Sequence, residues 1–238
     1  MGLPIFYTDD ITPSADTAFI QLGEESSRHI VQVLRMQVGE ELQLTDGKGF
    51  LYLASIVDDH KKKCSVKIIS EIFREKRTNP VRIGISPLKN AARFEWFLEK
   101  AVEIGVEEII PIICQRTEKQ HLRTDRLKSI VVSAMLQSQQ TWLPVLQEPV
   151  KFETYIKGLP AEANTQRYIA HCEADDQKKP LANMAEQSKS LILIGPEGDF
   201  SNPEIELATT HGFIPVSLGE TRLRTETAGM VAAVLLNK

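Results

Sequence analysis

The sequence predicts an α/β protein in which a small β-rich domain precedes a larger domain built on a parallel sheet. Three observations indicate this organisation. Short apolar runs fill residues 1–72, a charged segment ending in Asn-Pro occupies 73–80, and strand and helix patterns then alternate over 81–238. Such alternation is typical of a parallel sheet that helices cover on both faces. The polar segment between the two parts is typical of a linker.

Five short apolar runs predict a small β-barrel in the first domain. The runs lie at residues 5–7, 19–22, 41–44, 51–57 and 64–69. A hairpin signal, Asp46-Gly47-Lys48-Gly49, separates the third run from the fourth. A short helix is expected at 27–36, where Ile30, Val31 and Leu34 supply an apolar face.

The second domain begins with a predicted strand at 81–86 and a helix at 91–104. This helix has apolar residues at positions 94, 97, 98, 101 and 104, and Gly105 suits the position just after its end. A strand is expected at 108–114, and its Pro111 predicts an edge or irregular strand because proline has no N–H to donate. Thr124 is a suitable cap for a further helix that ends near Gln137.

Strand and helix patterns continue to the end of the chain. Helices are expected at 152–157 and 180–187, and strands at 167–172, 191–194 and 213–218. The segment Ser201-Asn202-Pro203-Glu204 is a capping box with a proline inside the first turn, so a helix should begin there. A last helix, rich in small residues, should begin at Thr225.

Two loops predict a small-molecule cleft, because each follows one of the last strands and leads into a helix. The first is Gly195-Pro196-Glu197-Gly198, and the second covers 219–224. Ligands of open α/β sheets bind beyond the carboxyl ends of the strands. Taken separately, each loop also fits an ordinary strand–helix junction, in which Glu226 complements the helix dipole and Arg224 is solvated. Neither loop has a dinucleotide fingerprint or a Walker motif, which disfavours a nicotinamide cofactor and ATP.

Composition argues against several other classes of protein. No apolar run approaches a membrane span and the N-terminus lacks a signal-like segment, so a cytoplasmic protein is expected. The separated Cys64, Cys114 and Cys172 argue against a disulfide framework and against a metal site. The net charge of −4 argues against a general polyanion binder, although nine Lys/Arg against seven Asp/Glu over 82–128 leave room for local phosphate contacts.

Several segments together carry a resemblance to a known family. The main ones are Gly195-Pro196-Glu197-Gly198-Asp199-Phe200-Ser201 and Leu218-Gly219-Glu220-Thr221-Arg222-Leu223-Arg224-Thr225-Glu226-Thr227-Ala228. Others are 29–35, Leu88-Lys89 with Arg93, 99–105, and Gln137-Ser138 with Pro144. They resemble the motifs of the RsmE family, and the resemblance covers the whole chain. The chain departs from the family pattern at Asp199 (usually a third glycine), at Glu220-Thr221 (usually Pro-Arg), and at Gln139-Gln140, where an arginine usually follows Ser138.

The resemblance implies a SPOUT-class methyltransferase that uses S-adenosyl-L-methionine to methylate N3 of a uridine in 16S ribosomal RNA of the small subunit. It also implies a PUA-like RNA-binding barrel at 1–72 and an α/β domain with a deep trefoil knot at 81–238, although general topology rules disfavour knots. A homodimer is implied, in which the partner helps to build the site. Neither a metal nor a membrane is expected to take part.

Three sets of site residues are implied by this resemblance. A base, and a cation near the uracil oxygens, would help the N3 proton to leave, which assigns catalysis to Arg224, Glu226 and Glu197. The cofactor is expected to contact Ala170, His171, Cys172, Gly195, Pro196, Glu197, Gly198, Leu218, Gly219, Leu223, Thr225, Thr227 and Ala228. The RNA is expected to contact Arg28, His29, Arg35, Lys89, Arg93 and Arg116.

Two other functions stay open at this point. One is a related knotted methyltransferase that acts on another RNA, such as transfer RNA. The other is an RNA-binding protein without enzymatic activity, which would bind no cofactor. The N-terminal barrel and the segment Leu223-Arg224-Thr225-Glu226-Thr227 favour the ribosomal uridine.

Overall fold

The computed structural model describes residues 2–9, 11, 19–160, 164–173, 178–184 and 189–237, and these form two compact units. The first unit contains the residues up to 76 together with 135–143. The second unit contains 77–134 and the residues from 144 onwards. No pattern in the sequence indicates that 135–143 belongs to the small unit.

A five-stranded sheet forms the first unit. The strands are Ile5–Tyr7 (β1), Phe19–Gln21 (β2), Glu41–Thr45 (β3), Phe50–Asp58 (β4) and Ser65–Phe73 (β5). Their order is β1-β3-β4-β5-β2, with β1 parallel to β3 and the other pairs antiparallel. A core that includes Ile30, Leu42 and Leu44 packs against the sheet. The predicted small β domain is confirmed, and β5 extends to Phe73, the first residue of the segment predicted as a linker.

The hairpin between β3 and β4 forms where the Asp-Gly pattern predicts it. The Oδ1 atom of Asp46 accepts hydrogen bonds from the backbone N–H groups of Lys48 (2.8 Å) and Phe50 (3.3 Å). Gly47 and Gly49 have φ angles of +71° and +103°, which residues with a side chain rarely adopt. The turn therefore depends on the two glycines and the aspartate together.

Trp142 fixes the segment 135–143 to this unit. Its ring lies so close to Gly49 that a Cβ there would be 2.6 Å away. Its indole N–H donates to the Arg74 carbonyl at 2.8 Å, and its ring meets Phe73 edge-on at 5.9 Å. The glycine in the hairpin is thus also required by the approach of this ring.

The helix predicted at 27–36 begins earlier than expected and ends in a wider turn. Helix α1 spans Glu24–Arg28, and a π-helical turn continues it over His29–Val33. In that turn the N–H of Leu34 bonds to the carbonyl of His29, five residues before it, at 2.9 Å.

The second unit is built on a parallel sheet. Its strands are Val81–Ile85 (β6), Glu108–Ile113 (β7), Val145–Leu146 (β8), Val150–Lys151 (β9), Thr165–Ala170 (β10), Lys179–Pro180 (β11), Lys189–Ile194 (β12) and Ile214–Ser217 (β13). The order is β11-β13-β10-β12-β6-β7-β8, and β9 also pairs with β7. The remaining helices are Ala91–Ile104 (α2), Thr124–Gln137 (α3), Phe152–Gly158 (α4), Asn202–Thr210 (α5) and Thr225–Leu236 (α6).

Helices cover both faces of this sheet, as predicted. On one face, Phe152 of α4 and Phe200 before α5 pack into a core with Leu193 of β12. On the other face, α6 packs tightly against α2, since a Cβ on Gly229 would lie 2.5 Å from the Phe97 ring. The central strands are therefore buried from both sides, which explains their nearly continuous apolar runs.

Pro111 predicts an edge or an irregular strand, and the edge alternative is wrong because β7 lies inside the sheet. Its pairing is interrupted at Pro111, in agreement with the irregular alternative. On one side Pro111 is opposite Ile85 of β6. On the other side β8 pairs with β7 up to Ile109, and β9 pairs with it from Ile112 onwards. The missing N–H of the proline falls between these two short neighbours, where no ladder hydrogen bond is lost.

The prediction of a helix at 180–187 is also wrong over 180–184, the part of this segment that the structure describes. Lys179–Pro180 is a short strand beside β13, and only a single 3₁₀ turn, Leu181–Asn183, follows it. Met184 already has an extended backbone, with φ −77° and ψ 155°. One turn is enough to bury Leu181, which is 2% exposed.

The parallel pairing gathers four strand ends at one edge of the sheet. Ala170 of β10 is opposite both Ile194 of β12 and Val216 of β13, and Ile194 is opposite Ile85 of β6. The loops that follow these strands therefore emerge together, at the edge where ligands of α/β sheets bind.

Candidate active site

The loop after β12 and the loop after β13 meet at this edge. Thr225, the first residue of α6, donates a buried hydrogen bond from its hydroxyl to the Gly195 carbonyl at 3.0 Å. Arg224 has extended backbone and is the N-cap of α6. The prediction that the two loops are neighbours in space is confirmed.

A first cleft of about 440 Å³ lies beside the ends of β10 and β13. This volume lies within the range of small-molecule sites. Small or apolar residues, Ala170, Leu218, Leu223 and Ala228, form much of its wall. Gly219 has a φ of +140°, and a Cβ on it would meet no described atom within 4 Å. The loop backbone is therefore accessible to a ligand.

A second cleft of about 370 Å³ adjoins the first. The two clefts have a common wall, formed by Ala170, Cys172, Arg222, Leu223 and Ala228. The second cleft differs in character, because charged side chains surround it: Arg93, Glu197, Asp199, Arg222, Arg224 and Glu226. Both clefts have polar and apolar lining residues, and the second has the larger number of charged side chains.

Glu226 is the most buried carboxylate of the second cleft. It lies in the first turn of α6 and is 7% exposed. Its Oε1 atom is 3.7 Å from Nε of Arg93, which is an ion pair but too long for a hydrogen bond. The N-terminus of a helix also favours a negative charge. The carboxylate therefore lies beside a cation that does not hydrogen-bond to it.

Glu197 lies at the rim of the same cleft and is exposed. Its Oε1 atom accepts a hydrogen bond from the backbone N–H of Lys89 at 3.1 Å. The Lys89 ammonium in turn pairs with Glu118 at 2.8 Å, and this hydrogen bond raises the pKa of the lysine. Glu197 thus ties the loop after β12 to the loop after β6.

Arg116 and Asp199 shape the loop between Gly195 and α5. The Arg116 guanidinium donates to the carbonyls of Gly198 (2.8 Å) and Phe200 (3.3 Å). Asp199 has a φ of +65°, and its carboxylate accepts the backbone N–H groups of Cys172 (2.7 Å) and Phe200 (2.8 Å). The side chain therefore supports a backbone conformation that usually requires glycine, and it links the loop to the end of β10.

The structure places most of the predicted cofactor residues at one of the two clefts. The first cleft is lined by Ala170, His171, Cys172, Leu218, Gly219, Leu223 and Ala228. The second is lined by Gly195, Pro196, Glu197 and Thr225 together with the predicted catalytic residues Arg224 and Glu226. Gly198 and Thr227 line neither of these two clefts.

The residues predicted to bind RNA are divided between the two units. Lys89, Arg93 and Arg116 belong to the second unit and border the second cleft or its loop. In the first unit, Arg28 pairs with Glu24 at 2.8 Å and His29 meets the Phe6 ring edge-on at 5.7 Å. Arg35 has a φ of +57°. Their role in RNA binding stays a prediction.

The predicted site residues do not include two cations that line the first cleft. Arg222 is exposed and lines both clefts. Lys178 lines the first cleft and donates to the carbonyls of His171, at 2.7 Å, and of Glu173. Arg222 could have been included from the sequence, because it belongs to the loop 219–224 that was predicted to border the cleft. Its neighbours Thr221 and Leu223 line the same cleft. Nothing near Lys178 in the sequence indicates that it reaches this edge.

Two family models match the chain. The model of an RNA methyltransferase domain matches residues 74–237, and that of an RNA methyltransferase PUA domain matches residues 22–69. Ribosomal RNA small subunit methyltransferase E of Mycobacterium bovis is 30% identical, over 96% of this chain and 88% of its own length. The chain belongs to the RsmE family.

Solved structures agree with this membership. A probable rRNA-methyltransferase from Porphyromonas gingivalis has 40% identity and a TM-score of 0.88, covering 98% of this chain and 96% of its own. A ribosomal RNA small subunit methyltransferase E from Neisseria gonorrhoeae, solved with S-adenosyl methionine bound, has 28% identity and a TM-score of 0.84, covering 98% and 96%. The RsmE resemblance, the α/β fold with a PUA-like domain and the class of cofactor are thereby confirmed.

Two kinds of feature are absent from the described residues. They contain no helix with the length and apolar character of a membrane span. They also contain no group of three or more histidine, cysteine or acidic side chains arranged to hold a metal ion.

Proposed function

We propose that this protein transfers a methyl group from S-adenosylmethionine to N3 of a uridine in 16S ribosomal RNA. The observation that carries the proposal is the pair of adjoining clefts with a common wall at Ala170, Cys172, Leu223 and Ala228. A group transfer between two substrates requires their reacting atoms to lie roughly 3–3.5 Å apart. The common wall is the place where ligands of the two clefts would come this close.

The first cleft would hold the methyl donor. When bound, S-adenosylmethionine supplies a methyl group on a positively charged sulfur. Ala170, Leu218 and Leu223 offer apolar contact to an adenine ring, and the open backbone at Gly219 can exchange hydrogen bonds with its edge. Ala228 belongs to the common wall, so its small side chain leaves room for the methyl group to face the second cleft.

The second cleft would hold the uracil. N3 lies on the Watson–Crick edge of the base, so the uridine must be unpaired or turned out of its stack to react. As the new N3–methyl bond forms, the N3 proton must leave for a base. Glu226 is the residue best suited to accept it, because its carboxylate is buried at this cleft. Arg224 would stabilise the negative charge that spreads to the uracil oxygens.

Glu197 is the second candidate for the base. Its carboxylate also borders the cleft, but it is exposed and already accepts the Lys89 N–H. These two features favour a role in positioning the loop.

The trefoil knot, the homodimer and a cytoplasmic location are part of the same proposal. The tight packing of α6 on α2 and the hydrogen bond from Thr225 to Gly195 are compatible with a threaded C-terminal segment. Exposed apolar side chains on both of these helices, Trp96 at 46% and Val234 at 55%, support a surface that a second copy would cover. A ribosomal RNA substrate supports the location in the cytoplasm.

Calorimetric titration with S-adenosylhomocysteine tests the first half of the proposal. The wild type should bind it, and Ala228→Leu should bind at least tenfold more weakly because the larger side chain enters the common wall. Thr210→Leu, at an exposed position of α5, is the matched control and should bind normally. A wild type that binds no S-adenosylhomocysteine would favour the RNA-binding protein without enzymatic activity.

Turnover of Glu226→Gln and Arg224→Ala tests the second half. Each should lower kcat on small-subunit RNA by a factor of about 10² or more, the usual effect of losing a general base or an oxyanion contact. The affinity for S-adenosylhomocysteine should stay near that of the wild type, because both residues line the second cleft and not the first. Near-native rates would remove these residues from the catalytic set.

A further inference from the structure

The segment that joins β7 to α3 starts beside the second cleft on a fixed base. The backbone N–H of Cys114 donates to the Thr117 hydroxyl at 2.8 Å, and this hydroxyl also bonds the buried Ser86 hydroxyl, just after β6, at 2.8 Å. The N–H of Gln115 donates to Glu204 of α5 at 2.8 Å. Hydrogen bonds to Ser86 and to α5 therefore hold residues 114–117 in place, and the chain reaches the surface at Glu118.

Three basic residues, Lys119, His121 and Arg123, follow residue 117. His121 and Arg123 are exposed and Lys119 is half-buried. Arg126, three residues after Arg123, donates two hydrogen bonds to Glu95 of α2. Lys119 follows Glu118, which pairs with Lys89 just before α2. The hydrogen bond from Arg126 lowers the pKa of Glu95 most, and the charges of Arg123 and Lys119 lower it further. The cations thus gather next to the start of α2.

The nearby carboxylates already have other partners. Glu95 accepts two hydrogen bonds from the Arg126 guanidinium, at 2.6 and 2.7 Å. Glu118 pairs with Lys89 at 2.8 Å. In the part of the chain that the structure describes, no carboxylate forms an ion pair with Lys119 or Arg123. Their charges are accordingly available to a phosphate.

The same pairs connect the segment to the second cleft. Lys89 joins Glu118, next to Lys119, and its backbone N–H bonds Glu197 at the rim of the cleft. Arg93, two residues before Glu95 on α2, lines that cleft directly. A nucleotide in the second cleft would therefore have its neighbouring phosphates within reach of this surface.

We propose that Lys119 and Arg123 bind the phosphates that flank the target nucleotide. The proposal rests on the function proposed above and adds residues that the sequence motifs do not include. A guanidinium can bind a phosphate in a bidentate manner, and an ammonium acts on it as a compact charge. Arg116 lies nearby and also supports the loop, since Nη1 of its guanidinium donates to the carbonyls of Gly198 and Phe200.

The test compares RNA binding by Lys119→Ala/Arg123→Ala with that of the wild type and of Lys151→Ala. Lys151 is an exposed lysine at the start of α4 and serves as the matched control. The probes are a 16S ribosomal RNA transcript and purified 30S subunits, and binding is measured from 50 to 300 mM salt. We expect about five- to tenfold weaker binding at low salt and a salt slope that is smaller by about 0.7 for each lost phosphate contact. S-adenosylhomocysteine binding and the melting temperature should not change.

The outcomes separate this proposal from the function on which it rests. A double variant that binds both RNA probes with wild-type affinity and slope overturns the phosphate surface, even if the wild type is an active methyltransferase. If the wild type binds no S-adenosylhomocysteine and methylates neither probe, the proposed function fails. As a second variant, Lys119→Glu/Arg123→Glu should weaken RNA binding more than the alanine pair does, because it adds repulsion.

Discussion

At the scale of single residues, Asp199 shows how a departure from the family pattern is accommodated. The backbone there has a φ of +65°, a conformation that suits the glycine usual in the family. The carboxylate accepts two backbone hydrogen bonds, from Cys172 and from Phe200. Aspartate is one of the few residues that tolerate this conformation, because its short polar side chain can bond locally.

The free energies of unfolding of Asp199 variants should therefore depend on the backbone conformation at this position as well as on the lost hydrogen bonds. Asp199→Gly loses the two hydrogen bonds but keeps a comfortable backbone, whereas Asp199→Ala loses the bonds and adds strain. We expect Asp199→Ala to lower the free energy of unfolding by about 1 kcal/mol more than Asp199→Gly does. Urea unfolding of the two variants measures this difference, with Asp59→Ala, at an exposed position, as the control. Equal stabilities would show that the positive φ is not maintained in solution.

Cys172 offers a chemical probe of the clefts, because it lines both of them. Although the residue is exposed, partial desolvation in the clefts raises the pKa of its thiol most; the Asp199 carboxylate raises it further, while Arg222 and Lys178 lower it. Its alkylation by iodoacetamide should therefore be slow at pH 7 and should reach half its maximal rate at a higher pH than an ordinary thiol does. Bound S-adenosylhomocysteine should slow the reaction.

Peptide mass spectrometry reads the modification at each cysteine separately. Cys64 and Cys114 are buried, and burial raises the pKa of both thiols, so they serve as internal controls that should stay unmodified in the folded protein. Labelling of Cys172 at the same rate with and without S-adenosylhomocysteine would contradict the position assigned to the ligand.

At the scale of elements, the start of α6 joins the two loops of the site. Thr225 belongs to the helix, and its buried hydroxyl bonds to the Gly195 carbonyl of the other loop at 3.0 Å. Glu226, the next residue, faces the second cleft. One helical turn thus fixes the first loop and presents the carboxylate, which couples the geometry of the two clefts.

Replacing Thr225 by valine keeps the shape of the side chain but leaves the Gly195 carbonyl without this donor. An unsatisfied buried acceptor costs about 1–3 kcal/mol, and the loop from Gly195 to Gly198 should become less ordered. We expect lower stability in urea and weaker binding of S-adenosylhomocysteine. Thr209→Val, at an exposed position of α5, should change neither. If the two valine variants behave alike, the hydrogen bond does not organise the site.

At the scale of the whole molecule, the homodimer can be tested through α2. Trp96 is 46% exposed there, although an indole of this size usually has a partner. If a second copy covers it, Trp96→Glu should convert the protein to a monomer in sedimentation experiments. Val38→Glu, at an exposed position of the first unit, is the control and should leave the assembly unchanged. A wild type that sediments as a monomer would contradict the homodimer directly.

The elements that the sequence predicted well are those with strong local signals. Helix α2 has both a regular apolar spacing and a glycine at its end, and it spans Ala91–Ile104 as expected, with Gly105 at a φ of +96°. The capping box at Ser201 also forms. The errors arose where tertiary pairing decides the outcome: the sequence around Pro111 cannot show that β8 ends before it and β9 begins after it.

The candidate site was predictable where local sequence signals mark it and not where contacts between distant segments form it. Residues in the two motif loops were found because they stand next to strand ends, and most of them line a cleft. Lys178 was missed, because only the folded chain brings its segment to the first cleft. The roles of Arg116 and Asp199 in holding one loop likewise depend on contacts between distant segments.

Mapping of methyl groups directly tests the proposed methylation of a uridine N3 in 16S ribosomal RNA. Purified 30S subunits and 16S ribosomal RNA are incubated with the protein and isotopically labelled S-adenosylmethionine, and the digested RNA is analysed by mass spectrometry, with transfer RNA as a parallel substrate. We expect one labelled 3-methyluridine in 16S ribosomal RNA, with a strongly reduced yield for Glu226→Gln. A label that appears only in transfer RNA, on another atom of the base, or nowhere would contradict the proposal.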